Sequence, residues 1–220
     1  MSISKTSTPA APTAVGPLGA VWTALHDVPS DWPGCAVTMG VFDGFHRGHV
    51  ALVRRARERA ALHRLPSALL TFDPHPRTVT YPDRAPVQLL PLEERVRLAH
   101  RLGIDAVLVL PFTPALAAMA ADEFTDQVLG RTLRARSVVV GENFRFGREG
   151  GGDTALLDRA GRRLGFTVDA VPLVAHNGQA CSSTRVRSCL TTGDLKGAEE
   201  LLGRPWTPSP PPSSSGHRPD

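Results

Sequence analysis

Apolar positions along the chain alternate between two textures. Short unbroken runs rich in β-branched residues are followed by longer stretches in which apolar residues recur every three or four positions. Cys35–Val41, Ser67–Phe72, Asp105–Leu110, Ser137–Val140 and Phe166–Val174 are the short runs, and each predicts a buried strand. His49–His63 carries Val50, Leu52, Val53, Ala56, Ala60 and Leu62 among arginines, which predicts an amphipathic helix with a basic outer face. Leu92–Leu102 predicts a helix stopped by Gly103, and Asp122–Leu129 one capped by Asp122. Asp153–Leu164 predicts a helix closed by Gly165, and Thr184–Leu190 a last one. One early strand is expected around Ala20–Leu25.

Strands and helices thus alternate about five times. Runs apolar on both faces require cover on both sides. The expected fold is therefore α/β: a Rossmann-like, doubly wound parallel sheet of about five strands with helices on both faces. Ligands of such sheets bind beyond the carboxyl ends of the strands. Residues 1–20, rich in Ala, Thr, Ser and Pro, read as a flexible leader and 21–204 as the domain. The tail 205–220, PWTPSPPPSSSGHRPD, has a composition that cannot form a core and is expected to be disordered.

Composition narrows the chemistry. The net charge is +4, and among 25 basic residues only Lys5 and Lys196 are lysines. Active-site lysine chemistry has almost no candidate, while arginine suits planar recognition of phosphate or carboxylate. A charge of +4 does not argue for nucleic acid. Cys35, Cys181 and Cys189 form no CxxC pair, so neither a zinc ribbon nor a thioredoxin-type site is supported, and reduced thiols in a cytoplasmic protein are expected. No run of eighteen apolar residues predicts a membrane span, and the N-terminus has no secretory pattern. GxxxxGK[ST] is absent, and no GxGxxG follows a strand, so P-loop kinase and nicotinamide hydride-transfer readings are unsupported.

Four segments follow strands and carry candidate chemistry. In Val37–His49, Gly40 and Gly44 allow a tight turn and close ligand approach, with Phe42 and Asp43 between them. His46 and His49 stand three apart at a helix start, where free N–H groups already favour anions. Gly48 between them leaves room for a phosphate. Thr71–Arg77 sets Phe72, Pro74, His75, Pro76 and Arg77 in a proline-fixed loop that can shape a pocket. Val140–Gly147 offers Gly141, Asn143, Phe144, Arg145 and Phe146; its phenylalanines can flank a flat ring or join the core. Ser182, Ser183, Thr184, Arg185 and Arg187 open the last predicted helix, where hydroxyls either cap it or bind phosphate.

The string HRGH matches the HxGH signature of the nucleotidyltransferase superfamily. The longer GVFDGFHRGH resembles the N-terminal adenylyltransferase module of the bacterial FAD synthetase (bifunctional riboflavin kinase/FMN adenylyltransferase) family. TFDPHP is similar to that family's TFxPHP segment, at its flavin-binding region. GENFRFG resembles its G-x-[DN]-F-x-F-G pattern, with Asn143 where Asp is frequent. CSSTRVR resembles its ISSTxIR segment, with Cys181 and Val186 in place of isoleucines and Arg187 as the motif arginine. The resemblance runs from about Cys35 to Trp206 and implies a nucleotidyltransferase-type fold and the reaction ATP + FMN → FAD + pyrophosphate with Mg²⁺. It also implies catalytic roles for His46, His49, Asn143, Ser183, Thr184 and Arg187, with Asn143 not assigned as a base. Ligand contacts are implied for Gly40, Phe42, Asp43, Gly44, Gly48, Phe72, Pro74, His75, Pro76, Arg77, Gly141, Phe144, Phe146, Ser182 and Arg185. Metal ligands and oligomeric state are not given by it.

That chemistry suits these residues. The attacking phosphate oxygen is already anionic, so positioning and charge stabilisation can replace a strong base. The expected partners are small molecules, ATP, FMN and FAD, with no nucleic acid or membrane. No G-x-P-T-A-N segment of the family's riboflavin kinase module occurs in the 220 residues, so riboflavin phosphorylation is not expected. Two alternatives stand beside this reading: an HxGH nucleotidyltransferase with another phosphorylated acceptor, and a flavin- or nucleotide-binding remnant without catalysis. TFDPHP and GENFRFG favour flavin over other acceptors, and the intact set of four segments favours retained catalysis. Zinc binding by the eight histidines is the weakest reading, since only His46 and His49 are close and no third ligand is evident.

Overall fold

The computed structural model describes residues 19–207. Of the expected leader 1–20 and tail 205–220, residues 1–18 and 208–220 lie outside the described residues; in the described part, Ala20 pairs with Ala106 in the sheet and Trp206 packs on a core cluster, its N–H donating to Glu199 Oε1 at 2.9 Å. Six parallel strands form the central sheet: β1 (Ala20–Trp22), β2 (Cys35–Met39), β3 (Ser67–Asp73), β4 (Ala106–Pro111), β5 (Ala135–Gly141) and β6 (Thr167–Val171), in the order β1-β4-β3-β2-β5-β6. The helices are α1 (Arg47–His63), α2 (Pro76–Thr80), α3 (Leu92–Arg101), α4 (Pro114–Ala118), α5 (Ala121–Phe124), α6 (Thr154–Leu164), α7 (Ser183–Thr191) and α8 (Leu195–Leu202). A two-stranded hairpin, β7 (Ala175–His176) with β8 (Gln179–Ala180), precedes α7.

The apolar runs of β2, β3, β4 and β5 are buried on both faces, as their composition demands, whereas the edge strand β6, also expected to be buried, is exposed or half-buried along its length. Val37, Met39, Leu70, Leu108, Val138 and Val140 enter one core with Phe124, Val128, Leu129 and Leu157. Leu69, Val107 and Val109 enter the opposite core with Val53 of α1, Ala99 of α3 and Ile104. Period-two alternation along each strand thus divides its side chains between two helical layers. The early strand joins the five expected ones, giving six.

From β2 the chain steps through β3 to β4 in one direction, then returns to lay β5 on the other side of β2. Connections leaving β2 and β5 therefore part from each other. A crevice opens where they diverge, at the carboxyl ends of the strands.

Helix ends follow local chemistry in most places. Asp153 caps α6 by accepting from Leu156 N at 2.8 Å, and Gly165 closes it at φ 82°. The expected cap at Asp122 is not formed. Ala120 is the N-cap of α5, and Asp122 lies in the first turn. There its carbonyl accepts the Thr125 hydroxyl at 2.8 Å, as α5 runs into a π-helical stretch, Thr125–Thr132. The strand expected to reach Val174 stops at Val171, because Pro172 has no N–H to continue an edge ladder.

Candidate active site

A cavity of about 1190 Å³ lies at the crevice, at the carboxyl ends of β2, β3 and β5. Pockets for one small ligand run to roughly 300–1,000 Å³, so this one lies above that range. One wall comes from the segment after β2. A second wall comes from Phe72, α2, Phe112 and α4. The segment after β5 and the start of α7 complete it.

The segment after β2 holds a strained backbone. Phe42 (φ 53°) and Phe45 (φ 45°) adopt left-handed conformations beside Gly44 (φ 85°). Phe42 and Phe45 are fully buried and their rings stack at 5.5 Å, so packing holds the conformation in place. Of the two glycines expected to permit the turn, Gly44 bears it; Gly40 has no positive φ and lines the cavity. The turn delivers His46 to the N-cap of α1, where its Nδ1 accepts from Gly48 N at 3.2 Å. One turn into the helix, His49 stacks on His46 with ring centroids 3.7 Å apart and 24° between planes. Both rings line the cavity. Burial pushes the His46 imidazole down to about 4, and burial, then the neighbouring His46, holds His49 well below its ordinary range. Both are therefore neutral at pH 7. With Nδ1 accepting, the proton of His46 is assigned to Nε2, which leaves that atom as the hydrogen donor.

α7 seats against this loop. Ser182 caps α7 by accepting from Arg185 N at 3.3 Å, and it lines the cavity with Cys181. A Cβ on Gly48 would lie 3.7 Å from Cys181 O, so the N-termini of α1 and α7 meet at one wall and both favour anions. The Ser183 hydroxyl donates to Asp43 O at 2.6 Å. The Asp43 carboxylate is 3% exposed; it accepts from Leu89 N (2.9 Å), Leu90 N (3.1 Å) and the Arg187 guanidinium. Arg187 also donates to Val87 O at 2.7 Å. Behind the loop, Arg204 donates to Gly44 O at 2.9 Å and Arg47 to Glu200 O at 2.6 Å, tying α8 to the same turn.

The wall after β3 is aromatic and apolar. Phe72 meets Phe112 edge-on at 5.6 Å, and Pro76, Arg77, Val79 and Tyr81 continue the surface. His75 is buried and caps α2, accepting from Arg77 N at 3.1 Å. Burial, and after it the Arg187, Arg95 and Arg77 charges, lower its pKa, opposed only by Asp43. After β5, Phe144 and Phe146 stack at 5.7 Å. Phe146 is buried against Phe124, while Asn143 and Arg145 are exposed at the rim.

Of the expected site residues, Gly40, Phe42, His46, Gly48, His49, Phe72, Pro76, Arg77, Gly141, Asn143, Phe144, Phe146 and Ser182 converge on one cavity. Asp43, Gly44, His75, Ser183 and Arg187 stand directly behind its wall, in the contacts just described. Pro74 and Thr184 are exposed outside it. Arg185 is occupied elsewhere: its guanidinium holds Gln179 O (2.9 Å) and Ala180 O (3.0 Å) of the hairpin. Sequence reasoning missed Phe112, the α2 and α4 wall, and Arg95 of α3, which is buried beside the carboxyl end of β3. Five-residue helices have too little periodicity to be read, although Pro76 and Pro114 each mark a helix start. No three His, Cys, Asp or Glu side chains converge as a metal cage among the described residues. No helix of the described residues is long and apolar enough to cross a membrane.

Over residues 28–185 the chain matches the family described as FAD synthetase. It is 41% identical over 182 residues to a bifunctional riboflavin kinase/FMN adenylyltransferase of Pseudomonas fluorescens, covering 83% of this chain and 58% of that protein. Its similarity to the protein of the same description from Escherichia coli K12 is 38% over 173 residues, or 79% of this chain and 55% of the other. The chain thus spans a little over half the length of these curated relatives. Among solved structures it is similar to one described as a macrolide-efflux protein from Streptococcus pneumoniae, with TM-score 0.72 and 28% identity, over 85% of this chain and 62% of that one. A pantoate-beta-alanine ligase from Francisella tularensis, at TM-score 0.51 and 10% identity over 81% of this chain and 76% of that one, shares the fold alone.

Proposed function

The chain belongs to the FAD synthetase family, and from that premise we propose that it is an FMN adenylyltransferase, transferring the adenylyl group of ATP to the phosphate of FMN. A phosphate oxygen of FMN forms a new bond to the α-phosphorus, the bond from that phosphorus to the bridging α,β oxygen breaks, and pyrophosphate leaves with the electron pair. The product is FAD. The observation that carries this reading is the stacked, neutral His46–His49 pair at the α1 N-terminus, facing one cavity with the aromatic Phe72–Phe112 wall.

The nucleophile is a phosphate already anionic at pH 7, so no side chain has to remove a proton. Neutral imidazoles at a helix N-terminus donate hydrogen bonds to phosphoryl oxygens. An approaching phosphate also favours their protonation, so the field strengthens where charge develops. Ser182 and the first turn of α7 offer a second set of donors beside them, with Ser183 and Arg187 fixing that turn through Asp43. The Phe72–Phe112 wall and Phe144 supply flat apolar surface for a flavin ring. Mg²⁺ would be held by the nucleotide's phosphates and would offset their charge, and none of these side-chain roles depends on it. Three free cysteines support a reducing, cytoplasmic setting, and the partners are small molecules, ATP, FMN and FAD.

The acceptor is tested by pyrophosphate release from ATP with FMN, phosphopantetheine or glycerol phosphate, one at a time. Release with FMN alone is the expected result. Release with another acceptor and none with FMN contradicts the flavin assignment.

A further inference from the structure

Arg95 is the most deeply buried guanidinium of the described core, at 3% exposure, and it comes from α3, outside every segment that carries the site chemistry. Its Nη1 lies 3.1 Å from Val41 O, 3.3 Å from Thr71 Oγ1 and 3.1 Å from Phe72 O, and its Nη2 donates to Asp73 Oδ1 at 2.9 Å. Thr71 Oγ1 in turn donates to Val41 O at 3.0 Å. Nε has no partner among the described residues. All four acceptors lie at the carboxyl ends of β2 and β3, where the chain leaves the sheet to build the two walls of the cavity. Val41 is five residues before His46, Phe72 itself lines the cavity, and Asp73 is two residues before His75.

Burying a guanidinium is unfavourable, and an apolar residue of similar volume is often as stable or more so. Core stability therefore does not account for an arginine here. Its planar fork, however, fixes several acceptors in one geometry, which an apolar side chain cannot do and an ammonium does poorly. We infer that Arg95 is a positioning residue that sets the spacing between the histidine wall and the Phe72–His75 wall, and so the alignment of acceptor phosphate with the nucleotide α-phosphorus. This inference rests on the adenylyl-transfer reading.

The test uses the full chain with Arg95→Lys and Arg95→Gln. FAD formation is followed at a temperature well below each variant's melting point, and ATP and FMN affinities are measured separately by equilibrium binding. Lysine keeps charge and reach but loses the fork. The expected result for Arg95→Lys is a kcat lowered about 10-fold or more, with each substrate's Kd changed less than about 3-fold, because misplacement of roughly an ångström costs about 100-fold in rate without removing a contact to either ligand. Arg95→Gln should lose more rate and recover part of it when guanidinium ion is added at low millimolar concentration. A variant pair with wild-type kcat per folded molecule, or variants that fail to fold, assigns Arg95 to stability alone and overturns the inference. Wild-type protein that makes no FAD overturns the adenylyl-transfer reading, and the role of Arg95 with it.

Discussion

Gly48→Ala is the sharpest probe of the histidine pair, because it adds one methyl group where the geometry is tightest. A Cβ at position 48 would stand 3.0 Å from both Cε1 and Nδ1 of His46, against an ordinary contact of about 3.5–4.0 Å. The His46 ring cannot yield toward His49, which stacks on it at 3.7 Å, so it must slide by about half an ångström. If misplacement of about 1 Å costs about 100-fold, half of that costs about 10-fold, or about 1.4 kcal/mol of transition-state stabilisation. The backbone at Gly48 is not left-handed, and alanine in a helix is favoured over glycine by about 1 kcal/mol, which offsets the strain. Steady-state FAD formation with a parallel thermal melt reads both quantities. The expected outcome is kcat down about 10-fold with a melting temperature within roughly 4 °C of the parent. Unchanged kcat would refute the claim that His46 must hold its position for turnover.

Asp43→Ala should destabilise the protein by about 3–5 kcal/mol in urea denaturation, since it strands Leu89 N, Leu90 N and Arg187. Exposed Arg145→Ala should stay within about 0.5 kcal/mol; equal losses would show that Asp43 is not the node described. Gly161→Ala sets a Cβ 2.4 Å from Phe166 O and should cost about 1–3 kcal/mol by overpacking α6 on the sheet, a loss visible as a lower denaturation midpoint. The buried histidines also make stability pH-dependent. His46 falls from 6.5 unfolded to about 4 folded, so the unfolded chain binds the extra proton, and stability drops as pH falls from about 6.5 to 4. The loss from His46 alone is on the order of 3 kcal/mol, with His49 adding in the same direction. Urea curves at pH 7.5 and 4.5 should show a smaller decline for His46→Gln than for the parent, and equal declines would contradict the burial argument.

Much of the fold was legible because burial on two faces leaves a plain mark. CAVTM, SALLTF and SVVV are uninterrupted apolar or small runs, and they became β2, β3 and β5, the three strands that frame the cavity. Glycine closure of α6 at Gly165 was equally plain. Asp122 misled because an acidic residue in the first turn and an N-cap look alike in sequence; both favour the helix dipole. At the site, all four motif segments contribute to the lining of one cavity, but their division of labour did not show in the sequence. Asp43 and Arg187 read as two separate polar residues 144 positions apart, and only the fold reveals them as one ion pair behind the wall. Arg95 sits in LEERVRLAHR, where five charged residues in ten suggest a solvated face. Its burial depends on acceptors contributed by β2 and β3, which no local pattern in α3 reports.

Adenylyl transfer to FMN is open to a direct test. Chromatography of the products formed when the purified chain meets FMN, ATP and Mg²⁺ tests it directly. FAD and pyrophosphate should form in equal amounts, with the FAD signal abolished in the His46→Ala, His49→Ala double variant. FMN and ATP recovered unchanged, although both bind, would contradict it.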